Sequence, residues 1–264
     1  MRSTSEIPPE TDQSKRILTD TLRSCLIAFA GGTLYAAALP PFNWGLGVIG
    51  ALAVLYYAVA QKSWKMRFFC GWMWGCGWSV FAYQFLREIH PAVPYLLMPV
   101  ISLWPGVFAV TLHWMFRVID DEARLHPAGK AVLQMATAGA WFAILEWTRC
   151  YLFVWNDLSV TVWQYPLLMQ IARITGRYGI AFLLAASGWT LYALIRKKAA
   201  WHAAVIVLLM WGGVCAYGAF RLSKAGEFRD PVTLKAALIQ ADLPQMRRAS
   251  VNEVFQAIDR KSVV

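Results

Sequence analysis

Along the chain, stretches of about twenty mostly apolar residues alternate with short polar connections. Seven such stretches can be drawn, at roughly 17–39, 44–60, 66–86, 93–119, 130–154, 176–195 and 201–220. A helix needs about 20 apolar residues to cross a bilayer, so the pattern predicts an all-α polytopic membrane bundle of about seven transmembrane helices over residues 17–220. Ahead of it, residues 1–16 are polar, contain Pro8 and Pro9, and read as a disordered leader. The connection Leu39-Pro-Pro-Phe-Asn-Trp44 predicts a tight hairpin of helices, because two prolines stop the first helix and Trp44 can anchor at the headgroup level. Pro94, Pro99 and Pro105 fall inside the long fourth stretch and predict a kinked or broken backbone there. After residue 220 the pattern changes. The stretch from Val232 to Gln245 carries a strand signal, so residues 221–264 are expected to begin a soluble domain.

Composition agrees with a lipid solvent: 58% of residues are hydrophobic and 15% charged, with a mean hydropathy of +0.45. The net charge of +10 does not change that picture. Its basic residues stand beside the spans rather than in one soluble patch, so no nucleic-acid partner is predicted and the charges read as topology signals. Lys15 and Arg16, then Lys62, Lys65 and Arg67, then Arg117, Arg124 and Lys130, and finally Arg196, Lys197 and Lys198 share one side if the spans alternate. The N-terminus is therefore expected in the cytoplasm and the tail after Phe220 on the opposite side of the membrane. Arg87, Arg149, Arg173 and Arg177 run against this bias.

Candidate chemistry is sparse. Five cysteines show no C-x-x-C pair and four histidines show no ligand spacing, so neither disulfides nor a metal nor any cofactor is predicted. The densest polar signal is Glu146-Trp-Thr-Arg149, near the outer end of the fifth span. Partners three apart share a helix face and can pair, and ionisable groups at membrane depth are costly unless paired. The following stretch, Trp155 to Thr175, is amphipathic and aromatic and is expected to lie at the outer interface. Gly176-Arg-Tyr-Gly179 then opens the sixth span, with glycine permitting a sharp turn. In the third span, Gly71-Trp-Met-Trp-Gly75-Cys-Gly77 predicts close helix packing, with an acyl-chain groove floored by glycine as the alternative.

Together these motifs resemble the bacterial apolipoprotein N-acyltransferases. The matching pieces are Pro40-Pro-Phe-Asn43, Gly71-Trp-Met-Trp-Gly75, Glu146-Trp-Thr-Arg149, Pro166-Leu-Leu-Met-Gln170, Gly176-Arg-Tyr-Gly-Ile-Ala-Phe-Leu183 and Ala237-Leu-Ile-Gln-Ala-Asp-Leu-Pro-Gln245. The resemblance implies a membrane bundle followed by an outward-facing, nitrilase-like (carbon-nitrogen hydrolase) sandwich whose first strand is Thr233–Gln240. It implies acyl transfer from a phospholipid, through a cysteine thioester, to the N-terminal amine of a lipidated lipoprotein, aided by a glutamate base and an oxyanion-stabilising lysine. All three of those residues lie downstream of that strand in the family. No catalytic residue is therefore assigned within this chain, which is expected to be a truncated piece, inactive alone. Cys150 and Cys215 do not match the nucleophile's context. On this reading Glu146, Arg149, Trp155, Gln170 and Tyr178 frame an entrance for lipid or substrate, and the partners are the phospholipid donor, the lipoprotein N-terminus and membrane lipids. The alternative is a non-catalytic membrane protein that binds or moves lipids. Departures from the family pattern include Val154 before Trp155, and Ala241 where glycine is common.

Overall fold

The structure, a computed structural model, describes residues 10–60, 62–196 and 200–225. Among these residues the chain is helical and has no strand. The predicted strand Thr233–Gln240, the first nine residues of the leader and Lys197 and Lys198 of the sixth connection lie outside the described residues.

Among the described residues nine α-helices follow in order: α1 (Glu10–Ala38), α2 (Val48–Val59), α3 (Trp64–Ala82), α4 (Val93–Ile101), α5 (Leu103–Asp121), α6 (Pro127–Arg149), α7 (Pro166–Met169), α8 (Ala172–Arg196) and α9 (Trp201–Ala225). Helix α1 starts at Glu10, so the expected disordered leader is helical over 10–16. That segment contains no glycine or proline to stop a helix, and Pro9 immediately precedes it. Ser63 caps α3 by accepting from the Met66 amide at 3.5 Å, and His126 caps α6 through the Ala128 amide, ahead of Pro127 in the first turn. The long fourth stretch is two helices, divided at Ser102. Pro99 and Pro105 each remove an amide donor on either side of that division. The Ser102 hydroxyl donates back to Met98 O at 2.6 Å, and the Trp72 indole N–H reaches Pro99 O at 3.0 Å. Side chains thus add hydrogen bonds to carbonyls beside the division.

Among the described residues four segments are long and apolar enough to cross a membrane, Val93–Asp121, Pro127–Arg149, Ala172–Arg196 and Trp201–Lys224, while Gly45–Val59 is a shorter apolar helix. Apolar side chains such as Leu96, Val118, Ile195 and Leu209 are exposed on the outside of the bundle, as a helix solvated by lipid requires.

Helix α1 packs on α3, α3 on α5, α2 on α8 and α6 on α8. The glycines of the third span make the first two contacts possible. A Cβ at Gly77 would strike the Phe29 carbonyl oxygen of α1, and one at Gly71 the Pro105 carbonyl oxygen at the start of α5. Gly32 of α1 meets the Trp74 carbonyl oxygen in the same way. Close packing is thus the role of this motif, and the surface proposed as a glycine-floored groove is filled by two neighbouring helices. Gly176 serves differently. Nothing stands near its missing Cβ, but its backbone at φ 63, ψ −171 breaks α8 near its start, in a region reserved essentially for glycine.

Candidate functional site

Glu146 and Arg149 sit in the last turn of α6, on one face, where their sequence spacing puts them. Arg149 Nη2 lies 3.6 Å from Glu146 Oε1, and both side chains are about 5% exposed or less. The carboxylate is further held by the Leu158 amide, which donates to Oε1 at 2.6 Å. Arg149 Nη1 donates to Phe153 O and Trp155 O at 3.0 Å and to the Tyr83 hydroxyl at 3.2 Å. Its guanidinium carbon stands 5.4 Å from the Trp78 ring centroid, within cation–π range. Bonds from a charged donor to carbonyls in a dry setting are the strong ones. One arginine therefore fixes the turn that follows its own helix.

That turn is fastened from three other elements. Asn156 occupies the left-handed region at φ 56, and its side-chain amide donates to Ala82 O at the end of α3 at 2.8 Å. The Tyr35 hydroxyl of α1 donates to Asn156 O at 3.4 Å, and the Tyr83 hydroxyl to Trp155 O at 3.3 Å. Asp157, also buried, accepts from the Ser159 hydroxyl and pairs with Arg177 of α8 at 3.0 Å. Farther along, the Trp163 indole donates to Asn43 Oδ1 at 2.9 Å, which joins the loop to the α1–α2 hairpin.

Of the five residues predicted to frame an entrance, three are in direct contact: Glu146, Arg149 and Trp155. Tyr178 joins at one remove, accepting from Arg177 Nη2 at 3.0 Å. Gln170 does not join; its amide donates to Pro166 O of its own short helix. The stretch from Trp155 onward folds as a 3-10 turn at Leu158–Val162 followed by α7, with no crossing helix. Sequence reasoning missed Tyr83, Asn156, Asp157 and Arg177 as members of the network. Asn156 and Asp157 are adjacent polar residues just after Trp155, and Arg177 was a cation on the wrong side of the topology bias. Tyr83 carried no signal.

Beneath the network, Tyr35, Trp74, Trp78, Trp104, Phe108 and Phe142 wall a narrow cavity of about 40 Å³ that Glu146 and Arg149 also line. It has room for roughly two or three water-sized groups and is too small for an acyl chain. Two buried donors among its lining residues, Arg149 Nη2 and the Trp78 indole nitrogen, have no hydrogen-bond partner among the described residues.

The apolipoprotein N-acyltransferase N-terminal domain model matches residues 31–190, which takes in the hairpin, the α3–α5 packing and the whole network. An apolipoprotein N-acyltransferase of Geobacter metallireducens is 35% identical over 249 residues, covering 84% of this chain and 44% of that protein. Its counterpart in Allorhizobium ampelinum is 27% identical over 242 residues, covering 84% and 44%. That of Caulobacter vibrioides is 28% identical over 239 residues, covering 83% and 42%. The chain thus spans less than half the length of these curated relatives. With a family match across more than half of its residues, and a helical membrane bundle in place, the chain belongs to the apolipoprotein N-acyltransferase N-terminal domain family.

Proposed function

We propose that this bundle serves acyl transfer from a phospholipid to the N-terminal amine of a lipidated lipoprotein, with the chemistry carried out by a nitrilase-like domain following residue 220. The observation that carries this reading beyond family membership is the fastened loop. Four helices and a hairpin converge on Phe153–Trp163, held by the buried Glu146–Arg149 pair. Such a loop gives a soluble domain a rigid edge to stand on and gives a lipid headgroup polar groups to meet. In this role Glu146, Arg149, Trp155 and Tyr178 shape the entrance, while Gln170 stands at its margin. In an intact relative, replacing the glutamate equivalent to Glu146 with glutamine should lower acyl transfer by at least about tenfold, roughly 1.4 kcal/mol. The same change at the outward-facing position of Leu191 should leave it intact. Equal activity of the two variants in a lipoprotein N-acylation assay would refute the entrance role.

In the same reading seven spans cross: α1, α2, α3, the α4–α5 pair, α6, α8 and α9. The N-terminus then lies in the cytoplasm and residues after Arg221 lie outside the inner membrane, because the basic connections around Lys62–Arg67 and Arg196 stay inside. Alkaline phosphatase fused after Gln245 is expected to be active. Activity of a cytoplasm-only reporter at that position instead would shift the span count by one.

A further inference from the structure

We propose that the opposite end of the bundle carries a separate site for an anionic phospholipid, between the start of α3 and the end of α5. Arg67 and Tyr83 bracket most of α3, and at 1.5 Å per residue they stand roughly 24 Å apart, so this site is distinct from the network at Arg149. A wide groove of about 1030 Å³ opens there. One part of its lining is cationic or polar: Lys62, Arg67, His113 and Arg117. Another part is apolar, with Phe68, Val107, Val110 and Trp114 running along the helices.

Three observations point to an anion with acyl chains. First, Arg67 is more than nine-tenths buried, yet among the described residues its side chain makes one hydrogen bond, from Nε to Val59 O at 3.1 Å. Among the described residues no carboxylate pairs with Arg67, Arg117 or Lys62; the ion pairs lie elsewhere, at Glu146–Arg149 and Asp157–Arg177. A buried cation without a counter-ion is costly, and a phosphate diester would supply the charge. Second, the acidic side chain that comes nearest along α5, Asp120, accepts from Gln134 at 2.8 Å and lines the cavity behind Arg67, not the groove. Third, Trp64 and Trp114 each stand 59% exposed, as aromatic rings do at the headgroup level. A free phosphate would answer the charge but leave the apolar wall uncovered. A phospholipid answers both, and a basic pocket between transmembrane helices is a recurrent way to hold an anionic headgroup.

The test is lipid retention by the purified chain, measured by native mass spectrometry with dioleoyl phosphatidylglycerol against dioleoyl phosphatidylcholine, which share acyl chains and differ in charge. Phosphatidylglycerol should be retained more than about tenfold better, the order expected when two or three basic side chains meet one charged headgroup. Lys62 and Arg117 make no hydrogen bond among the described residues, so Lys62→Gln with Arg117→Gln keeps the fold and should bring the ratio close to one. Arg23→Gln, an exposed cation on α1 outside the groove, should leave the ratio unchanged. Equal retention of the two lipids would overturn the proposal, as would a preference that survives the double substitution or falls equally with Arg23→Gln. Displacement of phosphatidylglycerol by millimolar inorganic phosphate would show a simple anion site and overturn the lipid assignment.

Discussion

Replacing Arg149 with methionine is expected to cost about 3–5 kcal/mol, a large fraction of the stability of a typical domain. The loss has two sources. Glu146 would remain as a buried carboxylate facing only the Leu158 amide, and the Phe153 and Trp155 carbonyls would lose a charged donor. Glu146→Gln should cost less, about 1–3 kcal/mol, because a glutamine oxygen can still accept from Leu158 while Arg149 keeps its carbonyls. Adding Glu146→Leu to Arg149→Met should then recover part of the loss, since no buried charge is left alone. Thermal or denaturant unfolding in detergent micelles reads all three. If Arg149→Met loses under about 1 kcal/mol, the size of an exposed ion pair, the network is solvated and the argument from burial fails.

The second large effect is expected at Gly77. Valine there would drive a Cβ into the Phe29 carbonyl oxygen, a backbone atom that no rotamer change can clear. The α1–α3 contact must open, at about 3 kcal/mol, the upper end of ordinary overpacking. Gly212→Ala is the matched control. Nothing lies within 4 Å of its missing Cβ, so the exchange should gain about 0.5–1 kcal/mol from helix propensity alone. An equal response of the two positions to substitution would mean that α1 and α3 are not in backbone contact.

Much of this was legible before any coordinates. Proline positions foretold the broken fourth span, though they did not say that Ser102 marks the division. The i, i+3 spacing of Glu146 and Arg149 foretold their pairing, because both partners lie on one helix and helical geometry is local. The glycine pattern of the third span foretold close approach, while its partners, α1 and α5, are facts of assembly. What escaped was all of one kind. Tyr83 to Arg149, Asn156 to Ala82 and Trp163 to Asn43 join residues with no common periodicity. Tyr83 in particular follows an apolar run in which one more aromatic residue looks like lipid-facing surface. Gln170 was overestimated for the opposite reason: a polar residue inside a matching motif looked functional, and its amide turns back onto its own helix.

The fastened loop also has a kinetic meaning. Its bonds bridge sequence separations of 66 residues between Arg149 and Tyr83 and 121 between Tyr35 and Asn156. None can form until the helices that carry them have met, so each waits on chain closure already completed elsewhere. Interactions made after the rate-limiting step slow unfolding without speeding folding. The loop is thus a late latch: assembly of the bundle does not need it, but once closed it sets how long the assembled helices stay together.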